Sequence, residues 1–302
     1  MWFTYKDLSP EEMVQLKKQL LNANYGFVAL SFVFITLAYV IRSYRWKYTL
    51  NHVGSPSYFL LNFFSISISY AMSLVIPRSG EVSRAYILTK SKGVPFDKAF
   101  GTIVSERIVD FFMLCFFVTI AVLVEYSTIE SFLIETIPYK KIVIFLIVFL
   151  FILVVLVSYL IGSKSSFAQK VNAKINGLVQ GVFSVFKMPY KWKFLIMTFA
   201  IWGCYLAMFY INVFSLEQTE HISFKSVLVA FVVGSLTITF TNGGFGFFPV
   251  LIGKILILYH IENDAAHAFG WIVWGSQLVY TILMGVISSI FLPIFVINEQ
   301  KP

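Results

Sequence analysis

Read for stretches free of Asp, Glu, Lys and Arg, the chain breaks into six long apolar runs, at 19–41, 48–77, 142–163, 194–216, 226–253 and 265–298. About 20 apolar helical residues cross a bilayer core, so each run is long enough for a transmembrane helix. A seventh, 99–124, is apolar apart from Glu106, Arg107 and Asp110 near its start. The pattern predicts seven spans, at about 24–41, 56–77, 99–124, 142–161, 194–214, 224–241 and 266–292. Ahead of them, residues 8–20 open on Ser9-Pro10-Glu11-Glu12, a helix N-terminus signal, and read as an amphipathic helix lying on the membrane face. The expected fold is an all-α polytopic membrane protein, a single integral membrane domain over residues 1–302 with its bundle at 24–292.

Two segments between spans are not ordinary loops. Ile76-Pro77-Arg78-Ser79-Gly80-Glu81-Val82-Ser83-Arg84 opens with a breaker and continues as a partly apolar helix, and Thr241-Asn242-Gly243-Gly244-Phe245-Gly246-Phe247-Phe248-Pro249 interrupts a long apolar stretch. Irregular backbone at membrane depth is tolerated only where protein buries it or water reaches it, so both read as re-entrant elements. Each is followed by a similar string, Ala99-Phe100-Gly101-Thr102-Ile103-Val104 in one case and Ala268-Phe269-Gly270-Trp271-Ile272-Val273 in the other. Matching position as well as sequence indicates an internal repeat, an arrangement in which transporters build midplane sites. Seven spans make the two units parallel; an inverted pair needs an eighth crossing, most simply by residues 243–262.

Composition sharpens this picture. Hydrophobic residues make up 58% and charged residues 13% of the 302 residues, against about 45–50% and about 25% in soluble domains. The net charge of +8 raises nucleic acid as a partner, but most cations lie in short stretches between apolar runs, and membrane lipids are the expected partner instead. With the N-terminus on one side, residues 1–23, 78–98, 162–193 and 242–265 share that side and carry 15 Lys and Arg, against 7 opposite. That imbalance predicts a cytoplasmic N-terminus. No cleaved signal peptide is expected. Cys115 and Cys204 fall inside apolar runs and read as small buried residues.

The chemistry lies in the intramembrane charges. Glu106 and Asp110, four apart, share a helix face; Arg107 can pair with Asp110, and Arg78 or Arg84 is the candidate partner for Glu106. Arg78, Arg84 and Arg107 balance Glu81, Glu106 and Asp110, so the set can simply clamp the first interruption to the third span. Against that, an Arg, Lys or Asp at a helix centre costs about 2.5–3.5 kcal/mol even on conservative scales, which makes six groups for fixation alone expensive. Arginine also grips phosphate in two-point geometry. The candidate headgroup site is therefore Arg78, Gly80, Glu81, Arg84, Glu106, Arg107 and Asp110, with Asn242, Gly243, Gly244 and Gly246 from the second interruption. Lys254 reads as a snorkelling residue, and Arg42-Ser43-Tyr44-Arg45-Trp46-Lys47 as a basic and aromatic anchor at the end of the first span. No catalytic constellation, metal site or cofactor is expected.

The pattern Arg42-x-x-Arg45-Trp46, Pro77-x-x-Gly80-Glu81-x-x-Arg84 and Glu106-Arg107-x-x-Asp110 resembles the lysylphosphatidylglycerol synthase transmembrane, or flippase-like, family. The Gly243-Gly244-x-Gly246 turn is similar to that family's second motif, and the resemblance covers about residues 15–295. It departs from the family where Pro249 stands at a position usually held by Glu, and a stand-alone membrane domain without the domain that attaches an amino acid to lipid is expected. The resemblance implies a bacterial cytoplasmic-membrane lipid translocase, with a glycosyltransferase or another lipid-biosynthesis enzyme as partner. An enzyme or enzyme subunit acting on a lipid-linked sugar or polyprenyl phosphate, with Glu81, Glu106 or Asp110 as base, is the alternative, and a non-transporting scaffold a third.

Overall fold

The computed structural model describes residues 10–126 and 188–299. Among them are nine α-helices: α1 (Pro10–Asn22), α2 (Tyr25–His52), α3 (Phe59–Val75), α4 (Ser79–Lys92), α5 (Phe96–Val124), α6 (Lys191–Ile211), α7 (Phe224–Phe240), α8 (Phe248–Ile257) and α9 (Asn263–Glu299). Four of these, α2, α5, α6 and α9, are long and apolar enough to cross a membrane. At about 1.5 Å per residue, the 17-residue α3 and α7 reach about 25 Å, short of a hydrocarbon core about 30 Å thick. The expected spans 56–77 and 224–241 are thus shorter than drawn, and each is the first arm of a helical hairpin completed by α4 or α8. The expected span 142–161 lies outside the described residues, and the amphipathic helix is observed from residue 10 onward as α1.

Local sequence sets the boundaries. The Asn24 side chain caps α2 by accepting from the Gly26 amide, and the Ser223 side chain does the same for α7 from Ser226. Left-handed Gly93 ends α4, and Pro95 opens the way into α5. The first span does not stop at residue 41. No breaker follows until Gly54-Ser55-Pro56, so α2 runs on to His52.

The order of lengths repeats: long, short, short, long in α2–α5 and again in α6–α9. The two units run in opposite directions. Along the α2/α6 pair, Tyr48 meets Tyr190, Arg45 bonds Thr198, Arg42 bonds Tyr205, and the Asn24 amide donates to the Ser215 carbonyl at 2.8 Å. These partners ascend on one helix as they descend on the other. Helix α9 runs with α2, since Thr36 bonds Tyr280 and Tyr58 packs on Phe295. Helix α5 runs against α2, with Thr102 bonded to Trp46 and Asp110 to Arg42. The units are inverted, not parallel as the span count suggested. The α3–α4 hairpin has its foot at the Trp46 end of the bundle, where Lys92 lies 3.5 Å over the Tyr58 ring. The α7–α8 hairpin has its foot at the α1 end, where Phe224 packs on Tyr210.

The repeated strings occupy equivalent places. Ala99 is buried in a cluster with Leu88 of α4 and Val94, whereas Ala268 and Phe269 are buried against Phe248 and Ile252 of α8. The first arms are exchanged between units. Helix α3 lies on α9, where Gly285 admits Ala71, and α7 lies on α5 through Phe231 and Phe117.

This architecture revises the side assignment. Val94 packs with Leu50 and Leu61, and Tyr190 with Tyr48. The chain around residues 90–98 and 188–193 therefore lies at the end opposite α1, not with the N-terminus. Among the described residues, Lys47, Lys90, Lys92, Lys98, Lys191 and Lys193 then face Lys17, Lys18, Lys225 and Lys254, so the expected imbalance in favour of the N-terminal side is not found among them. Cys204 is buried as expected, but Cys115 is exposed on the outer surface of α5.

Candidate functional site

The hairpin tips meet inside the bundle. Tyr70, near the end of α3, packs on Tyr39 halfway along α2, and Tyr39 packs on Tyr280 of α9. Just beyond Tyr70 the chain turns at Ile76-Pro77-Arg78, with Arg78 itself left-handed (φ 63°). Arg78 Nη2 donates to the Thr239 carbonyl at the end of α7, 3.2 Å away. On the facing tip, Gly243 lies against Leu74, its carbonyl accepts from Trp274 Nε1 at 2.9 Å, and the Gly244 amide donates to Thr241 Oγ1 at 3.0 Å.

Glycine is required at two of these places for different reasons. The α3–α4 hairpin closes so tightly that a Cβ on Gly80 would stand 2.4 Å from the Ser69 carbonyl oxygen. Gly243, Gly244 and Gly246 all have positive φ (64°, 80° and 78°), a region that favours glycine. Asn242 is half-buried in the same turn, its carbonyl accepting from the Phe245 amide at 3.3 Å.

The intramembrane charges divide into two layers. The inner one is sealed: Arg42, Arg45, Arg84, Glu106 and Asp110 are all buried. Asp110 accepts from Arg42 at 2.9 Å and from both terminal nitrogens of Arg45 at 2.7 and 3.1 Å. Glu106 accepts from Arg84 at 3.0 Å, with Arg45 3.8 Å from the same oxygen. Arg84 stacks 3.6 Å over the Trp46 ring, and Trp46 Nε1 donates to Thr102. Three guanidiniums here face two carboxylates. Arg84 Nε and Nη2, the Nε atoms of Arg42 and Arg45, and Glu106 Oε1 make no hydrogen bond with any described residue.

The outer layer is reachable. Arg107 is 42% exposed and pairs with Glu81 at 3.0 Å, and exposed Arg78 stands one helical turn before Glu81. Beside them, Val75, Ile76, Phe240 and Phe247 are exposed.

One expected pairing is replaced: Arg107 pairs with Glu81, not Asp110, because Asp110 points across to α2. Of the two candidate partners for Glu106, Arg84 takes the place and Arg78 does not. Arg42, Arg45 and Trp46 are no interfacial anchor; they form the base of the buried network. The continuous helix past residue 41 is the signal that could have placed them there. Thr198, Tyr205, Thr239 and Trp274 had no distinguishing signal in sequence. Among the described residues no cluster of His, Cys, Asp and Glu suits a metal ion.

Comparison with known proteins agrees with a membrane protein. A family model described as the lysylphosphatidylglycerol synthase TM region matches residues 1–285. A UPF0104 membrane protein of Methanocaldococcus jannaschii is 31% identical over 150 residues, covering 49% of this chain and 43% of the relative. The chain thus aligns with less than half of that relative's length. No solved structure matches. The chain belongs to the lysylphosphatidylglycerol synthase transmembrane-region family.

Proposed function

We propose that this member of the family is a lipid translocase that binds the headgroup phosphate of an anionic or polyprenyl lipid where the two hairpin tips meet. The observation that carries this reading is the division of the charges: Arg42, Arg45 and Arg84 are locked to acids out of reach, whereas Arg78 and Arg107 are exposed beside apolar side chains. A cation kept accessible at membrane depth is costly, and a lipid phosphate is an anion that offsets the cost. Helices α4 and α8 both begin at the junction, so their positive dipole ends add to the attraction. Val75, Ile76, Phe240 and Phe247 offer apolar surface to the acyl or prenyl chains.

In this reading the hairpins are re-entrant, each entering and leaving by one face of the membrane. Inverted units meeting at broken helices suit alternating exposure of a central site. The membrane is a bacterial cytoplasmic membrane, as the family resemblance implies. Covalent chemistry is disfavoured because Glu81, Glu106 and Asp110 are each held by an arginine, leaving none free to act as a base.

The test uses Arg78→Ala and Arg107→Ala, singly and together, with Lys254→Ala as control. Binding of phosphatidylglycerol and its leaflet exchange in reconstituted vesicles are expected to fall in the arginine variants and persist in the control. A well-folded double variant that binds and exchanges lipid as the parent does would overturn the headgroup site. A mass-shifted lipid whose formation depends on Glu106 would overturn the carrier reading in favour of an enzyme.

A further inference from the structure

The two tips that meet at the junction differ in chemistry. The first is charged, with Arg78 and Glu81, and Arg107 of α5 stands against it, paired with Glu81. The second, from Ser235 to Val250, contains no charged residue and presents Thr239, Thr241 and Asn242. Thr239 is exposed, and Thr241 and Asn242 are half-buried. The Thr239 and Thr241 hydroxyls donate to the Ser235 and Thr237 carbonyls and keep lone pairs to accept, and the Asn242 amide can do both, but none of these groups can neutralise a cation.

The supply of counter-charge is equally restricted. Glu81 is held by Arg107 at 3.0 Å. Glu106 and Asp110 are buried and held by Arg84, Arg42 and Arg45. The sequence has no Asp or Glu from 136 to 216. The accessible charges at the junction, Arg78 and Arg107 against Glu81, leave an excess of one positive charge. The sealed layer beneath adds another, with three guanidiniums to two carboxylates. Among the described residues, a headgroup amine brought here meets two guanidiniums and no free carboxylate, while a phosphate meets favourable charge.

We propose that the lipid taken at this junction carries an uncharged, hydroxyl-bearing group beyond its phosphate, a glycerol or a sugar, and that amine-bearing aminoacyl lipids are excluded. This rests on the headgroup site proposed above. Arg78 of the first tip and Arg107 of α5 hold the phosphate, and the second tip reads the hydroxyls through Thr239 and Asn242. The selectivity comes from the absence of a carboxylate on the second tip.

The experiment compares phosphatidylglycerol with lysylphosphatidylglycerol, by native mass spectrometry of the purified protein titrated with each. Phosphatidylglycerol is expected to bind at least about tenfold more tightly. Asn242→Asp places a carboxylate on the second tip and is expected to narrow that gap by strengthening lysylphosphatidylglycerol binding. Thr239→Asp, on an exposed side chain nearby, is the second variant should the first fold poorly. Lysylphosphatidylglycerol binding as tightly as phosphatidylglycerol in the parent protein overturns the inference and leaves the headgroup site standing. A preference that both well-folded Asp variants leave unchanged overturns the charge explanation. Phosphatidylglycerol binding that survives Arg78→Ala with Arg107→Ala instead overturns the site on which the inference depends.

Discussion

Replacing Arg84 with alanine separates structural from ligand-binding arginines. The Arg84 guanidinium lies between the Trp46 ring, 3.6 Å away, and Glu106 Oε2, 3.0 Å away. Its removal leaves Glu106 with Arg45 at 3.8 Å as its nearest ion-pair partner, and with Oε1 making no hydrogen bond to a described residue. Breaking a buried pair from one side costs about 3–5 kcal/mol, a large part of a total stability of about 5–15 kcal/mol. Arg78, by contrast, is exposed and makes one hydrogen bond to a carbonyl, a contact worth about 1.5–3 kcal/mol at most. Arg84→Ala should lower the midpoint of thermal unfolding, followed by size-exclusion chromatography of detergent-solubilised protein, well below that of Arg78→Ala. Pairing it with Glu106→Gln should recover much of the loss, because the orphaned charge is removed. An Arg84→Ala protein as stable as the parent, or a double variant no better than the single one, would refute the sealed-layer assignment.

Gly80→Ala should destabilise by about 1–3 kcal/mol, since its Cβ meets the backbone of Ser69 at 2.4 Å, while Gly101→Ala, whose Cβ meets nothing within 4 Å, should be close to neutral; thermal unfolding of the two reads the contrast. Single cysteines at Asn51 and Lys98 should be labelled by an impermeant reagent from the same side of sealed vesicles, and a cysteine at Gln218 only from the other. Labelling of positions 98 and 218 from one side would refute the inverted arrangement.

Apolar runs revealed the long helices because bilayer thickness imposes a length that the sequence must meet. The interruptions were equally legible, since Pro77 and the Gly243-Gly244-x-Gly246 turn break apolar patterns in ways a plain span does not. The direction of the second unit was not, because α3 and α7 are apolar enough to pass for spans while falling short of one. Counting α3 as a crossing reverses α5 and α6, and counting α7 as another returns α9 to its observed direction. Pairings failed for a related reason: helical spacing places Arg107 near Asp110, yet α2 supplies two guanidiniums that reach Asp110 first. Arg42 and Arg45 looked like an anchor only because the first span was ended where its apolar residues ended. The candidate residues Arg84, Glu106 and Asp110 do gather in one place, as a foundation under the accessible arginines.

Exchange of the first arms has a mechanical consequence. Because α3 leans on α9 and α7 leans on α5, while α4 is paired to α5 and α8 packs on α9, each hairpin is held between the two halves. Any displacement of one half against the other would therefore disturb the packing of both hairpins. The same interlock makes the halves mutual templates for assembly, since each completes a packing surface that the other lacks.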